Sequence, residues 1–400
     1  MKILLGVTGG IAAYKALELC RLFVKAGHEV QVVMTQHAKQ FIGPLSFQAL
    51  SGRPVRDALF NAEQEAGMGH IELARWADWI VLAPASANTL AKLRMGLADN
   101  LLTTLLLASD RPCLLVPAMN RLMWQNAATQ ENVAVLQARG YHLLAPAEGV
   151  QACGEVGAGR MPEAQQIFAD WQARSTAAAY PALHAFWQGR RLLVSAGPTF
   201  EDLDPVRFLG NRSSGKMGFA IAQQAQALGA HVTLIAGPVS LPSPQGVQRI
   251  DVRSAQQMLD AVQHHYAQHS VFISAAAVAD FAVAQALPQK IKKQAGQKHL
   301  SLELIANPDI VAWVAQQSPK PFVVGFAAET EQLLPYARAK RERKNLDLIC
   351  ANQVGAGIGF EGDDNQLVLI SREQERTLPM SSKHQQALGV LQEIMHLLTQ

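Results

Sequence analysis

Residues 2–35 read KILLGVTGGIAAYKALELCRLFVKAGHEVQVVMT. Lys2–Val7 is an apolar run of strand type. Gly6-Val-Thr-Gly-Gly-Ile11 turns the chain and opens a helix to about Ala26; Gly27 ends it, and residues 28–35 form a second strand. Two strands joined by a helix of this length make a βαβ unit, and that crossover dictates parallel pairing. A dinucleotide site would want GxGxxG after the first strand and an Asp or Glu at the end of the second. The glycines do not fit that spacing, and the second strand ends in Met34-Thr35. A hydroxyl suits a phosphate better than a ribose diol, so the unit reads as a mononucleotide site. Gly9 and Gly10 also make sense as a plain tight turn, the commoner use of a lone glycine pair.

Outward from this unit, residues 69–89 (GHIELARWADWIVLAPASANT) read as loop, short helix, strand and loop. Residues 79–83 are an apolar run of buried-strand type that Pro84 stops. Small residues and hydroxyls follow where a helix should start. Ser86 and its neighbours can there receive a phosphate on backbone N–H groups and the positive helix end. His70 stands just before this segment, close to Gly69 and Glu72; a lone histidine is more often a packed residue than a catalyst. Leu101–Leu107 reads as helix and residues 113–116 as strand, followed by PAMNRLMW at 117–124. Ligands of an open α/β sheet gather beyond the carboxyl ends of its strands, and Thr8, Thr35, Ser86 and Asn120 fall at such ends. Asn120 both donates and accepts, so it can hold a carboxylate or a flavin edge. Met119, Met123 and Trp124 read as core residues. Residues 151–161, QACGEVGAGRM, are glycine-rich, lack periodicity and carry one cysteine. Cys20, Cys113 and Cys350 sit in apolar runs, as structural cysteines do. Cys153 stands on a glycine-rich loop, with Arg160 able to favour a thiolate or bind an anion, and is the candidate acid, nucleophile or redox residue.

Four hundred residues suffice for two or three domains with ample core. The apolar share of 49% is that of a globular protein, and no signal peptide or membrane span is apparent. A net charge of +3 gives no argument for nucleic acid or an anionic membrane. The four cysteines are far apart without CxxC, which fits a reduced cytoplasm, and the twelve histidines show no HExxH.

Residues 173–188 are alanine-rich with Pro181 inside and read as a connector. Residues 190–196 restart a strand, Ser213-Ser-Gly-Lys-Met-Gly218 opens a helix to Leu228, and residues 232–236 form the next strand: a second βαβ unit and a second nucleotide-handling domain. Residues 210–216, GNRSSGK, match part of a P-loop, but Met217 replaces the Ser or Thr that would ligate magnesium, and a long insert parts the loop from its strand. An ordinary P-loop is therefore rejected, leaving a small polar loop facing a phosphate or carboxylate. Residues 271–277 form an apolar strand followed by Asp280. Most of the basic residues at 338–344 read as a solvated helix face. Lys340 and Lys344, four apart, share one face, and beside Lys290 they can neutralise a triphosphate. Nucleic acid is the rival use, opposed by scarce aromatics and a domain that is not broadly basic.

GVTGGIAAYK, GHIEL, LAPASANT, PAMNRLMW and the ACG loop, then DPVRFLGNRSSGKMGFAIA, AAAVADF, KIKK, NPDIV, VGFAAET and KNLDLICAN, resemble in order the motifs of the CoaBC (Dfp) family. In that family phosphopantothenoylcysteine decarboxylase is fused to phosphopantothenate–cysteine ligase. The resemblance covers nearly the whole chain. One departure is Glu155, where the best-known members carry Asp, and the charge is kept. The resemblance implies an α/β protein: a flavodoxin-like, doubly wound FMN decarboxylase domain at 1–180 and a Rossmann-like CTP ligase domain at 190–400. It implies FMN at Gly9, Gly10, Ile11, Thr35, Ser86, Asn88, Thr89 and Met119. It implies CTP at Ser274, Ala275, Ala276, Asp280, Lys290, Pro308, Asp309, Ile310, Val311, Phe326, Lys340 and Lys344, with Mg2+ held mainly through the triphosphate. Arg207, Asn211 and Asn120 would hold substrate, and Cys153, His70, Asn120, Lys290 and Asn211 would be catalytic. The partners implied are 4'-phosphopantothenate, L-cysteine and CTP, with no nucleic acid and no membrane, in a cytoplasmic homo-oligomer, a dodecamer, that binds FMN where subunits meet.

The chemistry implied is coenzyme A biosynthesis. The carboxylate attacks the α-phosphate of CTP, cysteine displaces CMP, and the product is decarboxylated to 4'-phosphopantetheine. An α-carboxylate beside an amide nitrogen has nowhere to put the electron pair that CO2 leaves behind, and a flavin supplies the sink by oxidising the thiol. The alternative is a non-catalytic FMN-binding regulatory protein, opposed by the ACG loop and the full second half. A dehydrogenase is opposed by the missing GxGxxG. The tail after Leu367 reads as strand and helix with no tie to chemistry.

Overall fold

The computed structural model describes residues 1–59, 69–292, 299–329, 331–353, 362 and 364–400. Lys293 of the KIKK motif and Thr330 of VGFAAET lie outside the described residues. The opening stretch forms the expected βαβ unit: β1 (Lys2–Val7), a 3-10 turn at Ile11–Tyr14, a helix at Lys15–Lys25, and β2 (Glu29–Met34). With β3 (Trp79–Ala85), β4 (Cys113–Pro117) and β5 (His142–Leu143) they make a parallel sheet of order β2-β1-β3-β4-β5. That is the flavodoxin order, whose switch point lies between β1 and β3. Alternate residues face opposite ways: Ile3, Leu5 and Val7 meet the helix Lys15–Lys25 through Leu19 and Phe23. Leu4, Ile80 and Leu82 meet helices Ala87–Met95 and Leu101–Leu107 through Leu90 and Leu105. Helices cover both faces, so the strands are apolar throughout.

Three local readings are corrected. Pro84 does not stop β3: the strand runs on to Ala85 across a cis Ala83–Pro84 bond, with a register shift against β4. The glycine-rich stretch is no plain loop. Residues β6 (Ala147–Val150) and β7 (Val156–Arg160) pair antiparallel and carry Cys153 on the intervening turn. The connector at 173–188 is helical: the helix Ala164–Ala179 runs into it and Pro181–Trp187 forms another, with Leu183 and Trp187 buried in the second core. The chain divides into two units, Met1–Gln172 and Ala173–Gln400.

The second unit holds an eight-stranded sheet. Six parallel strands run in the spatial order Gln248–Asp251, His231–Ala236, Arg191–Ala196, Val271–Ser274, Phe322–Glu329 and Leu348–Gln353. Numbered along the chain this is 3-2-1-4-5-6, the Rossmann order. Val368–Ile370 and Glu375–Thr377 extend the edge antiparallel. One face packs the helices Lys216–Ala227 and Lys383–Thr399 against Leu192, Val194 and Ile273. The other packs Ala255–His265, Ile310–Ala315 and Leu333–Arg343 against Leu193, Phe272 and Val323. Gly218 makes the first contact possible, since a Cβ there would lie 2.5 Å from that of Ala196.

Candidate functional site

At the first switch point the expected ligand-facing hydroxyls are engaged by the fold. Thr8 is 1% exposed. Its Oγ1 donates to the Pro84 carbonyl at 2.7 Å and accepts from Ser86 N–H at 2.9 Å, tying the ends of β1 and β3 together. Its place at a strand end therefore serves folding. Ser86 caps the helix Ala87–Met95, its Oγ accepting from Thr89 N–H at 3.3 Å and lying 3.0 Å from Thr89 Oγ1. Thr89 is buried and Asn88 exposed. Thr35 Oγ1 accepts from Ala38 N–H at 3.3 Å.

The backbone around these hydroxyls can take a flavin phosphate. A Cβ on Gly9 would lie 2.5 Å from His37 Cβ, so only glycine lets the loops after β1 and β2 approach so closely. A Cβ on Gly10 would meet nothing within 4 Å, and the neighbouring Ile11 is 64% exposed. His70, in the first turn of the helix Gly69–Trp76 and not in a loop, buries an Nδ1 with no hydrogen-bond partner among the described residues. An open glycine turn and a capped helix start at one switch point fit a phosphate-bearing flavin, and the helix that leads into β3 carries the orphaned nitrogen of His70. Met119 packs partly buried against the sheet beside Trp124, whereas Met123 is 49% exposed and is no core residue.

Asn120 and Cys153 come together. Asn120 Oδ1 caps the next helix through Leu122 N–H at 2.8 Å. Its Nδ2 donates to Glu155 Oε2 at 2.8 Å, to Gln151 Oε1 at 3.3 Å and to Cys153 Sγ at 3.5 Å. Arg121 Nε is 3.3 Å from the same Glu155 carboxylate. Arg160, the expected cation beside the thiol, instead sits at the open end of the hairpin and pairs with Glu163. Arg121, Gln151 and Glu155 were not singled out for the thiol's surroundings; their sequence signals were the place of Gln151 and Glu155 on either side of Ala-Cys-Gly and that of Arg121 directly after Asn120. Cys153 is exposed, while Cys20, Cys113 and Cys350 are buried and burial pushes their thiols up. Only the first is open to a substrate.

In the second unit a cleft of about 590 Å³ lies at the carboxyl ends of the strands. Ser274, Ala275, Ala276, Asp280, Pro308, Asp309, Ile310, Val311, Phe326, Lys340, Lys344 and Asn211 all line it. Asn211 Nδ2 donates to Val278 O at 2.9 Å, fastening the 210–216 loop to the segment after Ser274. Lys344 Nζ is 2.8 Å from Asp309 Oδ2, and Lys340 Nζ donates to Phe326 O at 2.9 Å. Burial lowers the Lys340 pKa, with Lys344 adding to the effect. Lys290 and Arg207 are exposed and do not line the cleft. The segments that carry them meet elsewhere: Asp204, 2% exposed, accepts from the N–H groups of Val206, Arg207 and Ile291, and Arg207 donates to Ile291 O at 3.3 Å. These backbone donors, that of Ile291 first, hold the Asp204 carboxyl below the usual range. Sequence reasoning missed Asp204, and also Asn352, Asn365 and Lys383, which line the cleft from the chain's last quarter.

Comparison with known proteins follows the same division. Residues 1–175 match the family model for Flavoprotein, and residues 187–398 that for the DNA/pantothenate metabolism flavoprotein C-terminal domain. The chain is 52% identical over 392 residues to the coenzyme A biosynthesis bifunctional protein CoaBC of Vibrio cholerae serotype O1, covering 98% of this chain and 96% of that protein. It is 50% identical over 404 residues to that of Vibrio vulnificus (99% and 98%) and 48% identical over 397 residues to that of Escherichia coli K12 (98% and 96%). A flavin is thus the cofactor of the first unit. With both halves matched and identity near one half along its whole length, this chain belongs to the CoaBC family of bifunctional coenzyme A biosynthesis enzymes.

Proposed function

We propose that the unit within 190–400 joins 4'-phosphopantothenate to L-cysteine using CTP, and that the unit within 1–180 decarboxylates the product to 4'-phosphopantetheine with FMN. The observation that carries the reading is the Asn120 amide: it already holds a carboxylate, that of Glu155, at 2.8 Å, with the Cys153 thiol 3.5 Å away. One side chain thus has a carboxylate grip and a proton source within reach, as a decarboxylation with reprotonation requires.

For ligation, a carboxylate must first be activated because its oxygen is a poor leaving group. Ser274, Ala275, Ala276, Asp280, Pro308, Asp309, Ile310, Val311 and Phe326 hold the nucleotide, and Lys340 and Lys344 face its triphosphate. Mg2+, carried on the triphosphate, would supply further positive charge for the phosphoryl chemistry. Lys290 stabilises the charge that builds there, and Arg207 and Asn211 orient the acyl substrate. Asp204 is a positioning residue: it ties the turn bearing Arg207 to the segment bearing Lys290. The cysteine amine then displaces CMP to form the amide.

For decarboxylation, Gly9, Gly10, Ile11, Thr35, Ser86, Asn88, Thr89 and Met119 would hold FMN. When bound, it would supply the electron sink that the loss of CO2 requires. His70 orients the substrate or assists removal of its proton, Asn120 grips the leaving carboxylate, and Cys153 donates the final proton. The protein works in the cytoplasm as a homo-oligomer. The non-catalytic reading finds no support among the relatives. The test is to mix the protein with 4'-phosphopantothenate, L-cysteine, magnesium and either CTP or ATP, and follow products by mass. 4'-Phosphopantetheine with CMP is expected. Product with ATP alone would overturn the nucleotide, and no product from folded yellow protein would overturn catalysis.

A further inference from the structure

The Asn120 amide is oversubscribed. An amide nitrogen carries two hydrogens, and that of Asn120 faces three acceptors: Glu155 Oε2 at 2.8 Å, Gln151 Oε1 at 3.3 Å and Cys153 Sγ at 3.5 Å. The acceptors are not held alike. Gln151 is fastened at both ends of its side-chain amide, Oε1 accepting from Arg121 N–H at 3.0 Å and Nε2 donating to Met119 O at 3.4 Å. Its backbone N–H donates to Glu155 O at 2.8 Å and its carbonyl accepts from Gly154 N–H at 2.9 Å, which closes the turn that carries Cys153. The Glu155 carboxylate, in contrast, is held by Asn120 and Arg121, and its side chain is 38% exposed. It can swing toward water while the turn keeps its backbone bonds.

On the decarboxylase reading, on which this inference rests, the carboxylate of phosphopantothenoylcysteine needs the same amide. Two carboxylates on one amide repel each other, so substrate binding must move Glu155 off. Arg121 Nε, 3.3 Å from the same oxygen, keeps the displaced group close by. We propose that Glu155 is an internal stand-in for the substrate carboxylate: it yields the Asn120 amide on binding and takes it back as CO2 leaves. The departing group turns neutral as its bond to carbon breaks and loses its hold on the amide, whereas Glu155 keeps its charge. The free energy spent in displacing Glu155 is recovered along the reaction, so part of the binding energy drives the chemical step. 4'-Phosphopantetheine has no carboxylate to compete for the amide, and the site thereby separates substrate from product. Glu155 acts through Asn120 and is a positioning residue.

The test follows CO2 release from supplied phosphopantothenoylcysteine by the full-length, FMN-loaded enzyme, with 4'-phosphopantetheine as product inhibitor. In Glu155→Ala the KM is expected to fall about 2- to 10-fold, the range for one hydrogen bond that binding no longer has to break. The kcat falls with it, so kcat/KM stays within about twofold, the signature of ground-state strain removed. The inhibition constant of 4'-phosphopantetheine also stays within about twofold. Glu155→Gln keeps the reach without the charge, and its KM is expected between those of Glu155→Ala and the wild type. It also keeps the question decidable where Glu155→Ala does not fold. Inhibition by product that tightens as much as KM falls would overturn the proposal. So would a KM that rises in both variants, because Glu155 would then only brace the turn. Wild-type protein that releases no CO2 would overturn the decarboxylase reading and this inference with it. Active wild-type protein with an unaltered KM in both variants would overturn this inference alone.

Discussion

At the sheet edge of the first unit, Thr8 is bonded to the backbone of β3 and Thr35 and Ser86 to the backbone three residues on, and what faces outward is glycine, a helix start and an exposed isoleucine. At the sheet edge of the second, lysines from helices on both faces line an open cleft. Both edges are topological switch points of doubly wound sheets, so the fold alone does not distinguish them. The difference matches what each must hold. Rigid backbone donors suit a group that stays bound through every turnover, whereas lysine side chains suit highly charged molecules that enter and leave each cycle.

The sharpest way to break this comparison is Cys153→Ser. Loss of the proton donor is expected to cost decarboxylation about 10²–10⁴-fold. Ligation should be untouched, and CO2 should still be released while the oxidised ene-thiol accumulates. Turnover of phosphopantothenoylcysteine at the wild-type rate would make the thiol structural only. Lys290→Gln is the reciprocal case. Ligation, followed by CMP release, should fall about 10²–10³-fold, as when one charge-stabilising donor is removed, while supplied phosphopantothenoylcysteine is still decarboxylated. Lys290 is exposed and outside the cleft lining, so normal ligation in this variant would mean that its segment never reaches the nucleotide.

Asp204→Asn asks how that segment is placed. The side chain accepts from three backbone N–H groups at 2.7, 2.8 and 3.0 Å. Its amide would turn a donor toward at least one of them. Misplacing Arg207 and Lys290 by about an ångström is expected to cost ligation up to about 10²-fold, mostly in kcat, with decarboxylation as the internal control. The lowered Asp204 pKa means that the tether is intact at neutral pH and is lost only as pH falls through the depressed value. An equal fall in both activities would point to general instability and not to placement.

Both sheets were legible in the sequence because each opens with a strand, helix, strand pattern whose helix is ended by glycine, at Gly27 and Gly229, even though an insert parts the first strand from the helix in the second. The corrected parts share a cause. Thr8 at a strand end looks like a ligand residue, and only the parallel neighbour β3, some seventy residues on, reveals that Pro84 takes its hydroxyl. Residues 147–160 pair as strands without alternation, because glycines at 149, 157 and 159 satisfy no hydrophobic pattern. Lys383 and Asn365 reach the cleft through a chain return after the last parallel strand, a tertiary fact with no local signal. Asp204 could have been suspected: an acid followed by Pro205 is a turn former, and its Oδ1 does accept from the residues two and three further on.

The smallest expected effect separates the scaffolds and not the sites. His28 sits among Phe23 and Trp171, with ring centroids 6.2 and 5.0 Å away, and its Nδ1 is 3.4 Å from the amino terminus. Burial first, then the terminal ammonium, lowers its pKa to about 4. Between the ordinary histidine value of 6.5 and that folded value, the unfolded chain binds more protons than the native one, so stability drains as pH falls through this window. His28→Phe keeps an aromatic ring in the cluster and removes the titration. The melting temperature of the variant should therefore decline less steeply than that of the wild type between about pH 6.5 and 4. Some slope will remain, because His269 and His384 of the second unit are also lowered by burial. If the two proteins lose stability in parallel through that window, His28 does not couple protonation to the first core, and its ring is packing alone.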